Sequence, residues 1–119
     1  MILSNALHFA DISNQTKKWD VCFKWTEYLY EEFWNQGDKE RELDLPLGFL
    51  MDRYKVNISS SQVSFIDTFV KPSFETLYIL LPKLEQNIKF LDDNRQNWVN
   101  LKDYYDNELK KLDKTFIKN

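Results

Sequence analysis

The positions of the glycines and prolines most strongly constrain the fold of this 119-residue chain. These residues are Gly37, Pro46, Gly48, Pro72 and Pro82. Glycine and proline are the residue types that interrupt helices most strongly, and the long stretches between these positions contain neither. Apolar residues recur in those stretches at spacings of three and four, which is the period of an α-helix. We therefore predict an all-α fold.

The N-terminal half carries two predicted helices followed by a loop. A first helix ends between His8 and Asp11, and a second runs from about residue 18 to residue 35. Gly37 follows the second helix and suits a left-handed C-cap. The segment 38–60 contains a proline and a glycine and is predicted to be a long functional loop. One face of the second helix is formed by apolar residues spaced by three or four, at Cys22, Trp25, Leu29 and Phe33.

Two further helices are predicted in the C-terminal half. Ser60 or Ser61 is a suitable N-cap for the third helix. Pro72 should kink this helix, which ends near Pro82. Its apolar stripe has one polar member and comprises Gln62, Phe65, Ile66, Phe69 and Val70. The last segment is predicted to be an amphipathic helix with an apolar face at Trp98, Leu101, Tyr105, Leu109, Leu112 and Phe116.

Composition excludes several classes of site and partner. One histidine and one cysteine can form neither a zinc finger nor a disulfide within the chain. Cys22 lies on an apolar helix face and is therefore predicted to be a small buried hydrophobe. Two glycines are too few for a phosphate-binding loop or a dinucleotide-binding turn. Sixteen basic and nineteen acidic residues give a net charge of −3, which makes nucleic acid a poor electrostatic partner.

The sequence also predicts a cytoplasmic location. No apolar run approaches the roughly 18–20 residues that cross a bilayer, so no membrane segment is expected. The N-terminus lacks the charged region and the long apolar stretch of a signal peptide. A single cysteine fits a reducing compartment.

Two pairs of residues have spacings that could form a binding site, but each pair also has a simpler structural interpretation. His8 and Asp11 would share one helix face and could bind a divalent cation, although spacing alone favours a hydrogen-bonded pair at a helix end. Gln62 offers a donor and an acceptor of the kind that a purine edge requires, and Phe65 lies one turn away, where it could stack on a base. Spacing alone would still favour a surface glutamine in the first turn of a helix.

The order and content of several sequence blocks resemble the class I 3′,5′-cyclic-nucleotide phosphodiesterases. The resemblance covers nearly the whole chain. The principal blocks are His8-Phe9-Ala10-Asp11-Ile12-Ser13-Asn14, Lys24-Trp25-Thr26, Glu31-Glu32-Phe33, Gln36-Gly37-Asp38-Lys39-Glu40 and Ser61-Gln62-Val63-Ser64-Phe65-Ile66-Asp67. The resemblance continues through Lys71-Pro72, Phe74-Glu75 and Asp93-Asn94-Arg95.

The resemblance implies a fold and an activity. The fold is the C-terminal portion of the all-α phosphodiesterase catalytic bundle, an HD-type metal phosphohydrolase. The activity is hydrolysis of cAMP, cGMP or both to the 5′-monophosphate in cyclic-nucleotide signalling. The implied cofactors are two divalent cations, zinc with magnesium or manganese, which activate a water for attack on the cyclic phosphate. A histidine protonates the leaving 3′ oxygen.

The resemblance also assigns roles to particular residues. Asp11 corresponds to the last zinc ligand and is the one metal ligand that this chain would supply. Gln62 corresponds to the glutamine that hydrogen-bonds the purine. Phe65 corresponds to the aromatic half of a clamp on the base, and Leu29 lies where the aliphatic half is expected. Asn14 falls at the position beside the base.

Three neighbouring features receive supporting roles from the same resemblance. His8 corresponds to a structural hydrogen-bonding residue and not to the catalytic acid. Glu32 would support the site from the helix wall. The segment 38–60 resembles a flexible loop that borders the pocket.

Some positions depart from the family pattern. Proline is usual where this chain has Gln15 and Lys18, so the turn beside Asn14 is expected to be looser and Asn14 to shift. Glycine is usual at the positions of Ser64 and Asp44, and Gly48-Phe49 stands where Ser-Pro is common. None of these changes removes a chemical group that the reaction needs.

Residues 1–119 are therefore expected to form the C-terminal part of a catalytic domain whose metal-binding part, with the catalytic histidine, lies upstream. No catalytic residue is expected within the chain, and the isolated chain is predicted to be inactive. The alternative is a non-catalytic helical paralogue that binds nucleotide or a partner. Expected partners are a cyclic nucleotide, the rest of the domain or a second copy in a homodimer. A generic helical domain is the simplest remaining reading.

Overall fold

Six α-helices account for most of the described part of the chain, which is residues 1–117 in a computed structural model, with side chains for residues 1–115. The all-α fold predicted from the sequence is confirmed. The helices are α1 (Ile2–Asp11), α2 (Trp19–Glu42), α3 (Ile58–Phe65), α4 (Lys71–Leu80), α5 (Glu85–Asn100) and α6 (Lys102–Ile117). Short helical turns of other types occur at Ser13–Thr16 (3₁₀), Ile66–Val70 (π) and Pro82–Leu84 (3₁₀).

Helix α2 continues seven residues beyond its predicted end, and Gly37 is not its C-cap. Gly37 is a buried residue inside the helix. A Cβ atom at this position would overlap the carbonyl oxygen of Met51, so the glycine is needed for close backbone approach. The predicted loop 38–60 is correspondingly shorter, because its first five residues belong to α2 and its last three to α3. The irregular segment is 43–57.

Helix α3 begins earlier than predicted, because Asn57 caps it instead of Ser60 or Ser61. The Asn57 side-chain oxygen accepts a hydrogen bond from the backbone N–H of Ser60 at 3.0 Å. The first residue of the helix, Ile58, is buried in the core, which favours the earlier start.

The long helical segment through Pro72 is irregular just before the proline. A π-helical turn, Ile66–Val70, precedes the proline where the sequence predicts a kink, and α4 then starts with Pro72 as its second residue. Proline has no N–H to donate and is best tolerated in the first turn of a helix. The segment ends at Leu80, close to Pro82 as predicted.

The predicted C-terminal helix is divided into α5 and α6 at Leu101. The carbonyl oxygen of Trp98 accepts hydrogen bonds from the Leu101 N–H and from the Ser59 hydroxyl, so the regular helical pattern stops there. Trp98 is fully buried, and Tyr105 is half-buried on α6. The side chain of Phe116, predicted to end the apolar face, lies outside the described residues.

The core is formed mainly by α2, α3 and α5 together with the turn Ser13–Thr16. Trp98 lies at its centre, with ring centroids 4.8 Å from Trp19 and 5.8 Å from Phe23. Cys22 is fully buried, as predicted. None of the helices in the described part of the chain combines the length and the apolar character needed to cross a membrane.

Candidate functional site

A cavity of about 750 Å³ lies between the turn Ser13–Thr16, α2, α3 with its π-helical turn, and the loop 43–57. The structure brings together in its wall the five residues that the sequence singled out for the site. These are Asp11, Asn14, Leu29, Gln62 and Phe65. They come from three separate stretches of the chain, at residues 11–14, 29 and 62–65, so their convergence is a property of the fold and not of local sequence.

Asp11 and Asn14 enter the cavity from the end of α1 and the turn that follows it. Asp11 is the last residue of α1, and its exposed carboxylate makes no hydrogen bond or ion pair with any described residue. The Asn14 amide donates to the carbonyl oxygen of Cys22 at 3.5 Å. Its own side-chain oxygen is buried and lacks a hydrogen-bond partner within residues 1–115. Such an unsatisfied acceptor is costly, and a ligand or water donor could satisfy it.

Gln62 lies on α3 with both ends of its side-chain amide engaged. Its Oε1 accepts a hydrogen bond from Nε2 of Gln15 at 2.5 Å. Its Nε2 donates to the hydroxyl of Tyr30 at 3.4 Å. Burial raises the pKa of the Tyr30 hydroxyl, which therefore stays neutral and can accept this bond. Gln62 is only 5% exposed yet lines the cavity.

Gln15 and Tyr30 are site residues that the sequence analysis missed. The turn containing Gln15 is also firmly held, contrary to the expectation that it would be loose. Asn94 on α5 donates to the carbonyl oxygens of Gln15 and Lys17, at 2.9 and 2.6 Å. The departure from proline at position 15 was the available signal, because an amide beside Asn14 introduces hydrogen-bonding capacity that proline lacks.

The cavity has apolar walls on two sides. Phe65 is half-buried on α3, and its ring centroid lies 5.8 Å from that of Phe69 in the π-helical turn. Leu29 lines the cavity from α2, as do Tyr30 and Phe33, whose ring centroids are 5.7 Å apart. Aromatic and aliphatic side chains at the wall, with the three amides of Asn14, Gln15 and Gln62 among them, suit a planar heteroaromatic ligand.

Of the three features with predicted supporting roles, only the loop contributes to the cavity wall. The loop 43–57 borders the cavity through Phe49 and Leu50, as expected. His8 is exposed on α1, and its imidazole makes no hydrogen bond within the described chain. Glu32 is exposed on α2 and lies outside the described lining of the cavity. No group of three or more His, Cys, Asp or Glu side chains converges among the described residues.

Comparison with known proteins identifies related sequences and folds. Residues 1–91 match the family described as 3′5′-cyclic nucleotide phosphodiesterase. The chain is 42% identical over 100 residues to the cGMP-specific 3′,5′-cGMP phosphodiesterase 3 of Dictyostelium discoideum, covering 84% of this chain and 22% of that protein. It is 46% identical over 92 residues to the dual specificity calcium/calmodulin-dependent 3′,5′-cyclic nucleotide phosphodiesterase 1B of Rattus norvegicus, covering 77% of this chain and 17% of that protein.

The fold is also similar to solved structures of phosphodiesterase domains. The phosphodiesterase domain of the Salpingoeca rosetta rhodopsin phosphodiesterase superposes with a TM-score of 0.75 and is 29% identical. That match covers 93% of this chain and 34% of the solved chain. The chain thus spans about a third of a solved catalytic domain and about a fifth of its Dictyostelium relative. The resemblance read from the sequence blocks is confirmed: the chain belongs to the 3′,5′-cyclic nucleotide phosphodiesterase family.

Proposed function

We propose that this chain forms the purine-binding end of a cyclic-nucleotide phosphodiesterase site and takes part in hydrolysis of cAMP or cGMP to the 5′-monophosphate within a longer catalytic domain. The observation that carries this proposal is the convergence of Asp11, Asn14, Leu29, Gln62 and Phe65 in one cavity of about 750 Å³. A cavity of this size is within the range that encloses small organic ligands.

Base recognition is the step for which this chain has the most suitable groups. The Gln62 amide can donate and accept toward one edge of a purine, because its oxygen keeps a second lone pair and its nitrogen a second hydrogen. Phe65 can stack on one face of the base, and Leu29 can contact the other. The names of the relatives include cGMP-specific and dual-specificity enzymes, which supports a purine cyclic nucleotide as the ligand.

Zinc together with magnesium or manganese is our proposal for the metals of the complete site. Asp11 is a suitable ligand, because its carboxylate is exposed, unpaired among the described residues, and placed at the negative end of the α1 dipole. The remaining ligands and the catalytic histidine would come from other parts of the domain. When bound, such metals activate a water for attack on the cyclic phosphate and neutralise charge at phosphorus.

Nucleotide titration of the ¹⁵N-labelled 119-residue chain tests this proposal. We expect cAMP or cGMP at millimolar concentration to shift the NMR resonances of residues that line the cavity, including Leu29 and Phe65. Gln62→Met should weaken binding about tenfold, since it removes both polar contacts to the base. Gln86→Met, an exposed position on α5, is the matched control and should leave the dissociation constant unchanged. Absence of cavity shifts, or equal binding by the Gln62 variant, would refute the proposal.

A further inference from the structure

Asn57 connects the start of α3 to α6 through both ends of its side-chain amide. Its Oδ1 caps α3 by accepting a hydrogen bond from the backbone N–H of Ser60 at 3.0 Å. Its Nδ2 donates to Oδ1 of Asp106 at 2.6 Å and to the carbonyl oxygen of Lys102 at 3.2 Å. A single side chain therefore links two helices that are distant along the chain.

Asp106 determines the direction in which the Asn57 amide points. Hydrogen bonds from Asn57 and Lys102 lower the pKa of the Asp106 carboxyl, which is therefore charged near neutral pH. A charged carboxylate accepts hydrogen bonds but cannot donate them. The NH₂ group of Asn57 must then face Asp106, and this leaves Oδ1 for the N–H of Ser60. In the opposite orientation, two oxygens would face each other and the cap would be lost.

The part of α6 that carries Asp106 is held firmly. The Lys102 ammonium donates to Oδ2 of Asp106 at 3.2 Å, so both carboxylate oxygens are engaged. Tyr105 is half-buried and packs against the core. Just before α6, the carbonyl oxygen of Trp98 accepts a hydrogen bond from the Ser59 hydroxyl on α3. Asp106 thus approaches Asn57 from a rigid support.

The first turn of α3, which Asn57 caps, forms part of the cavity wall. Ser60 and Ser61 both line the cavity. The Asn57 carbonyl oxygen accepts hydrogen bonds from the Ser61 N–H at 3.1 Å and from its hydroxyl at 2.9 Å. Helix α3 has only eight residues, and the first N–H groups of any helix have no partner within it. Loss of the cap would therefore loosen this part of the wall.

We propose that Asp106 is a positioning residue for the cavity: it fixes the direction of the Asn57 amide, and through this cap α6 holds the first turn of α3 at the cavity wall. Helix α6 lies beyond residues 1–91, the part of the chain that matches the family. The effect on the wall depends only on the contacts described above. The effect on nucleotide affinity rests on the function proposed above.

Amide hydrogen exchange of the full 119-residue chain, measured by NMR without ligand, tests the effect on the wall. We expect Asp106→Ala to speed exchange of the Ser60 N–H about fivefold, because the Asn57 amide is no longer held in the capping direction. The double variant Asn57→Asp/Asp106→Ala should exchange as slowly as wild type. An aspartate at position 57 presents an oxygen to Ser60 in either orientation, so it needs no partner on α6 to set its direction.

Nucleotide titration tests the effect on the cavity. Asp106→Ala should raise the dissociation constants of cAMP and cGMP about threefold each, because the loosened turn must be ordered again on binding. Asp113→Ala is the matched control, since it removes another exposed carboxylate of α6 that has no partner among the described residues. This control should leave the exchange of Ser60 and both affinities unchanged.

Several outcomes would overturn the positioning role. One is unchanged exchange of Ser60 in Asp106→Ala, and another is fast exchange in the double variant. A third is equally faster exchange at Leu91, a fully buried residue of α5, because the effect would then be a general loss of stability. Faster exchange of Ser60 with unchanged affinities would overturn the link to the cavity. If the wild-type chain binds neither nucleotide, only the proposed function is refuted, and exchange still decides the role of Asp106.

Discussion

Gly37 lies in the middle of a 24-residue helix, where glycine is normally less favourable than alanine by about 1 kcal/mol. Its presence there is explained by the loop 43–57, which crosses α2 so closely that the Met51 carbonyl takes the space of a Cβ atom. The close crossing brings Phe49 and Leu50 to the cavity. Glycine at position 37 therefore lowers the stability of the helix but allows the loop to form one wall of the cavity.

We predict that Gly37→Ala lowers the free energy of unfolding by about 2 kcal/mol or more, despite the better helix propensity of alanine. The overlap is with backbone, which cannot move without displacing the loop. Gly48→Ala is the matched control, because its Cβ would lie 2.7 Å from the flexible Met51 sulfur. Chemical denaturation should show a loss below about 1 kcal/mol for the control. Similar losses in the two variants would contradict this account.

The π-helical turn Ile66–Val70 is joined to α5 by an ion pair that spans the two elements. Arg95 on α5 donates two hydrogen bonds to the Asp67 carboxylate, at 2.7 and 2.8 Å. These bonds lower the pKa of the Asp67 carboxyl, because they favour its charged form. The pair is partly exposed, so solvent screens it and its contribution to stability is modest.

The lowered pKa gives this contact a defined pH dependence. Its stabilisation is fully present above the pKa of an unfolded aspartate, about 3.9, and is lost as the pH falls through the lower folded value. We predict that Asp67→Asn costs about 0.5 kcal/mol near pH 7 and that the difference from wild type shrinks near pH 3. Urea unfolding of the wild type and of the variant at both pH values measures this difference in the free energy of unfolding. Asp93→Asn, at an exposed carboxylate on α5, is the control and should show no such trend. If the stability loss in Asp67→Asn were constant with pH, the ion pair would be excluded as its cause.

Apolar periodicity predicts that α2 is a helix but only partly which face is buried. Cys22 is fully buried, whereas Trp25 and Leu29 of the same predicted face are 60% and 42% exposed. The residues buried on α2 beside Cys22 include Thr26 and Tyr30, which the apolar pattern did not select.

Apolar periodicity also fails at helix boundaries, because these depend on residues far along the chain. The Gly37 position resembles a C-cap until Met51 is seen to cross it, and α5 stops where Ser59 binds the Trp98 carbonyl. Local spacing contains no record of either contact.

In the candidate site, too, the sequence predicts individual residues but not the contacts between residues that are distant along the chain. The family resemblance selects Asp11, Gln62 and Phe65 residue by residue, and the fold brings them to one cavity, although their chemical roles remain predictions. The partners of Gln62 were not predictable in this way. Gln15 lies 47 positions from it and Tyr30 lies 32 positions from it, so only the packed structure reveals their hydrogen bonds.

At the scale of the whole molecule, α1 is the element least supported by the rest of the structure. All of its residues are exposed except Phe9, which packs on Phe74 with ring centroids 6.0 Å apart. Its apolar side chains Ile2, Leu3 and Leu7 are 73–86% exposed. Exposed apolar surface of this kind is typical of an interface. Because α1 ends at Asp11, the proposed metal ligand lies at the edge of this uncovered surface.

We predict that the purified 119-residue chain hydrolyses neither cAMP nor cGMP in the presence of Zn²⁺ with Mg²⁺ or Mn²⁺. A catalytic metal needs about three protein ligands, and among the described residues only Asp11 is proposed for that role. Activity should appear when residues 1–91 replace the matching segment of the Dictyostelium relative, which provides the rest of a catalytic domain. Product formation, measured by chromatography for both nucleotides, compares the two proteins.

Substitution at Asp11 in that chimera distinguishes a metal ligand from a passive surface carboxylate. Asp11→Asn keeps the shape of the side chain but weakens cation binding, so we expect activity to fall at least about 100-fold and to recover in part at high metal concentration. Asp20→Asn, at an exposed position in the first turn of α2, should retain full activity. Full activity of the Asp11 variant would contradict the assignment, because the reaction would then proceed without the only metal ligand proposed in this chain. Hydrolysis by the isolated chain would contradict the prediction that the other metal ligands come from the rest of the domain.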